Sequence, residues 1–307
     1  MYIQDFFVKY YDYRPSTNSV INKIIGNSSK ILAYLGNLVL PIWFSIFPNK
    51  NNNEMIPVIV SLTSFPARIN KVWLVIECML RQTKRPKEIR LYLSKEQFPT
   101  KDSLPNNLNK YIKSNLLQIY LVNDDIKSHK KYWYIVDENS LNAFITIDDD
   151  IIYSSNILQL LWEEHIKNEK KVIACYCHKI KWNNNTITPY STWKDNVKIG
   201  ESGHDLFFGS GGGVLFPYGS LIDANQPFEN IKQTCLYADD IWLNAYVRKN
   251  GYSIINVKRK GAVPEWFNRN NFKLNSINNG QNLNDQQLHQ VISFFVKNYN
   301  INPFKKL

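Results

Sequence analysis

Three consecutive aspartates, Asp148-Asp149-Asp150, directly follow the apolar run Phe144–Ile147. An apolar run of that length reads as a strand, and carboxylates at its end cannot stay charged and buried without a counter-ion. A divalent cation meets that need, and oxygen-only ligands favour Mn²⁺ or Mg²⁺. Such a metal bridges phosphate oxygens and stabilises a leaving nucleoside diphosphate. The plainer alternative is an acidic turn capping the next helix. A second acidic pair, Asp239-Asp240, opens the helical pattern Ile241–Lys249. These two are either helix caps or include a base that takes a proton from a hydroxyl. Between the two acidic groups lies Gly209-Ser210-Gly211-Gly212-Gly213, where glycine lets backbone approach a ligand closely. The apolar Val214-Leu215-Phe216 behind it argues for a positioned loop, and no Gly-Lys-Ser/Thr ends it, which excludes a Walker phosphate loop. Lys130 and Lys131 precede the triplet and suit phosphate as compact charges. Neighbouring side chains point in different directions, so one lysine should reach a phosphorylated ligand and the other should be a solvated surface residue. Trp182, Tyr190 and Trp193 lie in the polar stretch 181–200, either stacking on an acceptor sugar or covering a loop-side core.

Strands and helices must hold these groups, and the hydrophobic pattern alternates accordingly. Val58–Leu62, Ile89–Leu93, Leu117–Val122, Phe144–Ile147, Val172–Cys177 and Tyr252–Val257 read as strands. Val72, Val75, Ile76, Met79 and Leu80 fall at helical spacing, with Pro86 as the stop. Asn156–Lys167 and Ile241–Lys249 read as further helices, and Leu288, Val291, Ile292 and Phe295 mark a last one. Strand and helix in alternation define an α/β sheet whose ligands bind beyond the carboxyl ends of the strands.

Six blocks add a family resemblance. They are Ser61-Leu62-Thr63-Ser64-Phe65-Pro66-Ala67-Arg68, Leu80-Arg81-Gln82-Thr83, Ser128-His129-Lys130-Lys131-Tyr132, and Ile147 to Tyr153 around the aspartates. Gly209 to Pro217 and Ala238-Asp239-Asp240-Ile241-Trp242 complete the series. In this order, over residues 56–260, they resemble bacterial A-type (GT-A) glycosyltransferases of surface-polysaccharide synthesis. The resemblance implies a Rossmann-like GT-A fold, with a mixed, mostly parallel central sheet flanked by helices. It also implies a nucleoside-diphosphate sugar donor, a UDP-sugar being favoured, and a glycan or lipid-linked acceptor. By the same resemblance Thr63, Phe65 and Arg68 bind the nucleotide, Phe65 by stacking and Arg68 by a bidentate phosphate contact, unless Arg68 is a surface ion pair. Asp148 and Asp149 would touch the donor, and Asp148 and Asp150 the metal, with His289 a third metal ligand or a simple surface histidine. Gly211, Gly212 and Gly213 would lie beside donor sugar and acceptor. The resemblance favours Asp240 as base, with Asp239 second; an inverting displacement follows, though retention stays open. Ser94 stands where related enzymes often carry a base-reading aspartate, so that role passes to Asp124 or Asp125.

The 307 residues carry a net charge of +11 and 44% hydrophobic residues, enough for one large domain with or without an arm. A basic balance fits nucleic acid, an anionic membrane or a phosphorylated substrate. The basic residues are scattered, which argues against nucleic acid. Cys78, Cys175, Cys177 and Cys235 read as buried free thiols in a reducing, cytosolic compartment, since Cys175-x-Cys177-His178 is too cramped for zinc. Residues 1–54 form an arm before a catalytic domain at 55–307. Its apolar run Ile31–Phe47, kinked at Pro41, has two readings. One is a peripheral anchor at the inner face of the cell membrane, with Lys9, Arg14, Lys23 and Lys30 toward acidic headgroups; the other is a helix packed on the catalytic domain. Two further functions compete with sugar transfer. A metal-dependent phosphohydrolase would use the same aspartates but lacks a clear nucleophile, and a non-catalytic basic binding module leaves the triplet and glycine loop without a role.

Overall fold

The computed structural model describes residues 2–11, 19–47, 49, 53–136, 138, 143–193, 197–257 and 283–306. Helices α1 (Ile3–Tyr11) and α2 (Ser19–Ile46) form the arm. The sheet then begins with β1 (Met55–Thr63), α3 (Val72–Leu80), β2 (Arg85–Ser94), α4 (Asn109–Lys113), β3 (Gln118–Val122) and α5 (Lys130–Trp133). It continues through β4 (Ala143–Thr146), α6 (Ile157–Lys167), β5 (Lys171–Ala174), β6 (Cys177–Lys179) and the short hairpin β7 (Trp182–Asn183) and β8 (Thr186–Ile187). Next come β9 (Ser202–Gly203), β10 (Leu206–Phe208), β11 (Val214–Pro217), α7 (Phe228–Thr234), α8 (Asp239–Lys249) and β12 (Ser253–Asn256). A final helix, α9 (Leu283–Tyr299), follows.

Eight strands form one sheet in the order β3-β2-β1-β4-β11-β5-β12-β9. The pairs β3–β2, β2–β1, β1–β4 and β5–β12 are parallel, whereas β11 is antiparallel to both β4 and β5. The central strands read as continuous apolar runs because both faces are covered. In β1 the alternation is visible in the packing: Val58, Val60 and Leu62 enter one hydrophobic core and Ile59 the other. Helices α3 and α6 cover the first core, while α8 and α9 cover the second through Trp242, Leu288 and Phe295.

The chain leaves β1 toward β2 and β3 on one side and returns with β4 on the other. The β1–β4 junction is therefore the switch point of the sheet, and a crevice forms beyond the strand ends there. The expected strands and helices are present, with three adjustments. Pro86 is the second residue of β2, paired with Ile56, and helix α3 has already ended at Leu80. The strand expected over Val172–Cys177 breaks after Ala174, and Cys177 starts β6 on a separate two-stranded sheet. Pro41 sits inside an unbroken helix.

The arm is bound to the α/β unit. Phe7, Val8, Leu40 and Phe44 are buried in the first core. Buried Gln4 donates to the carbonyls of Cys78 and Tyr153, and Asp5 accepts from the Ser155 amide and hydroxyl. Arg81 lies over the Phe44 ring at 4.7 Å and donates to the Phe47 carbonyl. Asn53, between α2 and β1, donates to the Gln82 carbonyl. All four cysteines are free and buried.

Candidate active site

The carboxyl ends of β1 and β4 bring the Ser64–Arg68 loop and the aspartate triplet to one place, and the reversed direction of β11 supplies the third component. Because β11 runs antiparallel, its first residue, Val214, pairs with Thr146 and Ala174 at the strand ends. The glycine loop that precedes it is thereby carried to the same edge as Asp148–Asp150. It is pinned there by Thr146 Oγ1, which donates to the Ser210 carbonyl at 2.8 Å, and by the Tyr153 hydroxyl, which donates to the Gly211 carbonyl and accepts from the Asp148 amide.

The three aspartates have separate surroundings. Asp148 is the outermost, its side chain 39% exposed against 6% for Asp149 and 11% for Asp150. Asp149 accepts from Ser64 Oγ at 2.6 Å and from Arg68 Nη1 at 2.9 Å. That ties it to the β1 loop, so the donor contact expected of it is not what its carboxylate is arranged for. Arg68 Nη1 also reaches Asp150 Oδ2 at 2.9 Å, and its guanidinium lies 5.3 Å from the Phe65 ring centroid. Arg68 is thus occupied by two carboxylates, neither a surface ion pair nor a guanidinium held open for phosphate. Asp150 is pushed up to about 7 by burial and by the charge of Asp148, against the pull of Arg68. Thr63 Oγ1 donates to the Tyr92 carbonyl.

Of the two lysines, Lys131 reaches the acidic cluster. Its buried ammonium lies 2.8 Å from Asp148 Oδ1, 2.9 Å from Ser210 Oγ and 3.1 Å from Asp239 Oδ2. Burial opposes its charge, but Asp148, Asp239 and Asp240 together hold it well above the usual lysine range. Lys130 is 2% exposed and donates to Asp125 at 2.5 Å, so neither lysine is the solvated surface residue expected of one of the pair. The four-residue helix α5 packs on β1 and β2, so neither of its first two side chains meets solvent. Asp125 is consumed by this arrangement. It also accepts from Lys127 and Gln97, and although burial raises its pKa these bonds hold it below the usual carboxylate range. Base reading by Asp125 is therefore disfavoured, which leaves exposed Asp124 beside it.

Asp239 and Asp240 start α8 and both address Ser210. Asp239 Oδ2 accepts from Ser210 Oγ at 2.7 Å, and Asp240 Oδ1 accepts from the Ser210 amide at 2.6 Å. Burial would raise both acids, but Lys131, His129 and two serine hydroxyls hold Asp239 down at about 2. Asp240 is farther from that compensation, and burial together with the Asp239 charge pushes it up to about 7. One is a fixed anion and the other a group that exchanges its proton near neutrality. Behind them, buried His129 bridges the Tyr132 hydroxyl and the Cys235 carbonyl, each at 2.7 Å, and burial lowers it to about 4.

The glycines are required by space. A Cβ on Gly211 would stand 1.7 Å from Asp148 Oδ2, and one on Gly212 would stand 2.9 Å from the Tyr176 Cβ. Gly213 has φ +97°, a conformation that side chains resist. A Cβ on Gly209 would lie 3.1 Å from the Tyr176 ring and 4.0 Å from Asp240 Oδ2. Half-buried Tyr176 and Asp240 therefore flank the loop. Tyr176 leads to His178 and Tyr190 by ring contacts of 4.9 and 5.5 Å, a wall absent from the sequence reading except for Tyr190. Its signal was position, two residues beyond the carboxyl end of β5's pairing with the loop strand. The two tryptophans expected at the acceptor are arranged otherwise. Trp193 is buried, its indole N–H donating to the Thr188 carbonyl, and Trp182 donates to the Phe304 carbonyl, so both serve the second core.

Whether a metal suits the site follows from its donor set. Asp148 and Asp150 present hard oxygens with excess negative charge between them, and the missing side chain at Gly211 lets the Asp148 carboxylate lie against the loop backbone. Among the described residues no group of three or more His, Cys, Asp or Glu side chains forms a closed ligand set. His289 is exposed on α9 and does not join the aspartates, because the helix turns that residue away from the apolar stripe it buries. The donor chemistry, two carboxylates, suits a hard cation with phosphate and water supplying the rest.

No family model matches the chain. No curated protein matches it either. Solved structures do. The mannosyltransferase PcManGT from Pyrobaculum calidifontis, determined in complex with GDP-Man and Mn2+, superposes with a TM-score of 0.50 at 13% identity, over 86% of this chain and 74% of that one. S. aureus TarS matches with a TM-score of 0.45 at 12% identity, over 67% of this chain and 36% of that one. At such identity the first likeness speaks to architecture: the chain has the Rossmann-like α/β fold of that transferase, with an eight-stranded mixed sheet flanked by helices.

Proposed function

We propose that this chain is a metal-dependent glycosyltransferase, moving a sugar from a nucleoside-diphosphate donor to a glycan or lipid-linked hydroxyl in the synthesis of surface polysaccharide. One observation carries the reading. Around a single glycine loop stand a carboxylate pair suited to a hard cation and, apart from it, a carboxylate whose proton exchanges near neutrality. PcManGT, whose fold this chain shares, was captured with a nucleotide sugar and Mn2+, and this supports the same donor class here.

In this reading Asp148 and Asp150 hold Mn²⁺ or Mg²⁺. When bound, such an ion offsets the charge that grows on a departing diphosphate. Lys131 fixes the Asp148 carboxylate and adds a buried positive charge on the same side. The glycine loop lets the donor sugar lie against backbone, and Tyr176 with Tyr190 offers a ring face to the acceptor. Asp240 takes the acceptor's hydroxyl proton as that oxygen bonds to the anomeric carbon. The bond from that carbon to the diphosphate oxygen breaks, its electron pair leaves with the nucleoside diphosphate, and the configuration inverts. Asp239 keeps its charge throughout and holds Lys131 and Ser210 in place.

The test is a panel of UDP- and GDP-sugars incubated with the protein, Mn²⁺ and saccharide acceptors. At least one donor should release nucleoside diphosphate with sugar recovered on the acceptor. Release of inorganic phosphate in its place would favour the phosphohydrolase.

A further inference from the structure

Helix α2 is apolar on two faces, and among the described residues the fold covers only one of them. Leu40 and Phe44 are buried at 0% and 1% exposure. On the opposite side Ile31, Leu35, Leu38, Ile42 and Ile46 recur at helical spacing and are 47–65% exposed. At the end of this stripe the Trp43 and Phe47 rings lie 4.2 Å apart, both open to solvent. No charged residue interrupts the sequence from Ile31 to Asn49. An apolar face of about four turns on a docked helix marks an interaction surface.

The charge pattern selects what it meets. From Tyr13 to Asn53 there is no aspartate or glutamate, whereas Arg14, Lys23, Lys30 and Lys50 occur in that stretch. We infer that the outer face of α2 lies on an anionic phospholipid surface, with its aliphatic and aromatic side chains in the interface. Three points favour lipid over a second copy of the chain. Between Tyr13 and Asn53 every charged residue is cationic, so pairing two copies of this stretch face to face would bring like charges together. The surface is the ridge of a single helix and not a groove. A Trp–Phe pair at the end of an aliphatic stripe suits the boundary between headgroups and acyl chains. Among the described residues no helix is long and apolar enough to cross a membrane, so the contact is one of lying on the bilayer. Burial of Leu40 and Phe44 and the contacts of Arg81 make the arm a rigid base for that contact. The inference stands apart from the catalytic reading, because vesicle binding requires no turnover.

The experiment is co-sedimentation of the full-length chain with phosphatidylcholine vesicles, with or without phosphatidylglycerol. Binding should appear with the anionic vesicles and weaken as salt is raised, since screening reduces the cationic share. Leu38→Ser/Ile42→Ser/Ile46→Ser removes three exposed side chains. It should keep the melting temperature and lower the bound-to-free ratio at least about tenfold, given roughly 25 cal/mol per Å² of apolar area buried. If that variant melts early, Trp43→Ser gives the same test with a smaller fall. Failure of the wild type to sediment with anionic vesicles overturns the inference. So does a folded variant that binds as the wild type does. A dimer that the triple variant dissociates, with no vesicle binding, overturns it in favour of a second copy.

Discussion

Asp239 and Asp240 are neighbours in sequence, share Ser210 as a partner, and differ in proton affinity because only Asp239 touches Lys131. In the proposed mechanism Asp240→Asn removes the proton acceptor while the amide keeps much of the shape. Turnover should fall by about 10²-fold or more, as for loss of a general base, while donor affinity stays nearly constant. The wild-type rate should rise with pH through about 7, since the base acts only when its proton is gone. Stability runs the other way. A carboxyl raised from 3.8 to about 7 in the folded state contributes stability at low pH that is lost as pH rises through about 7. Above that point charged Asp240 is a net cost, so Asp240→Asn should raise the melting temperature at pH 8 more than at pH 5. Melting curves at the two pH values check this, and an equal change at both would contradict the electrostatic assignment.

Elements, more than individual residues, decide whether these groups meet. The glycine loop lies beside Asp148 because β11 runs against its neighbours, and Gly211 has no room for a side chain. Gly211→Ala should push Asp148 aside and lower kcat/KM by about 10²-fold, with little change in melting temperature, because the displaced group lies at the surface of the crevice. Kinetics and a thermal melt on one preparation measure both. Most of the scaffold was legible in the sequence, since β1, β2, α6 and α8 are long apolar or periodic runs. Strand β11 was not read as a strand. Val214–Pro217 is a wholly buried four-residue run, and nothing in such a run distinguishes a strand from support behind a loop, or parallel from antiparallel pairing. Local spacing likewise gave no sign that Lys130 is buried and could not decide between an acceptor face and a loop-side core for Trp182 and Trp193. Polar or cationic neighbours suggest solvent, but their side chains are covered by elements distant in sequence, and tertiary packing is not encoded in local spacing.

At the scale of the whole molecule, the arm, the sheet and the crevice form one connected unit. The arm's buried face joins the core under β1, and Gln4 and Asp5 tie it to Tyr153 and Ser155, directly after the aspartate block. The two readings of Ile31–Phe47 are thereby compatible, because one side of α2 packs on the domain and the other remains open. The proposed function depends on a metal-linked donor site at the β1–β4 switch point, and calorimetric titration of UDP and GDP with and without Mn²⁺ tests it most directly. The wild type should bind at least one of them much more tightly with the metal. Asp150→Ala should lose that metal-dependent gain at an unchanged melting temperature. Binding of neither nucleotide, binding indifferent to Mn²⁺, or an Asp150→Ala protein with full metal-dependent affinity would contradict it.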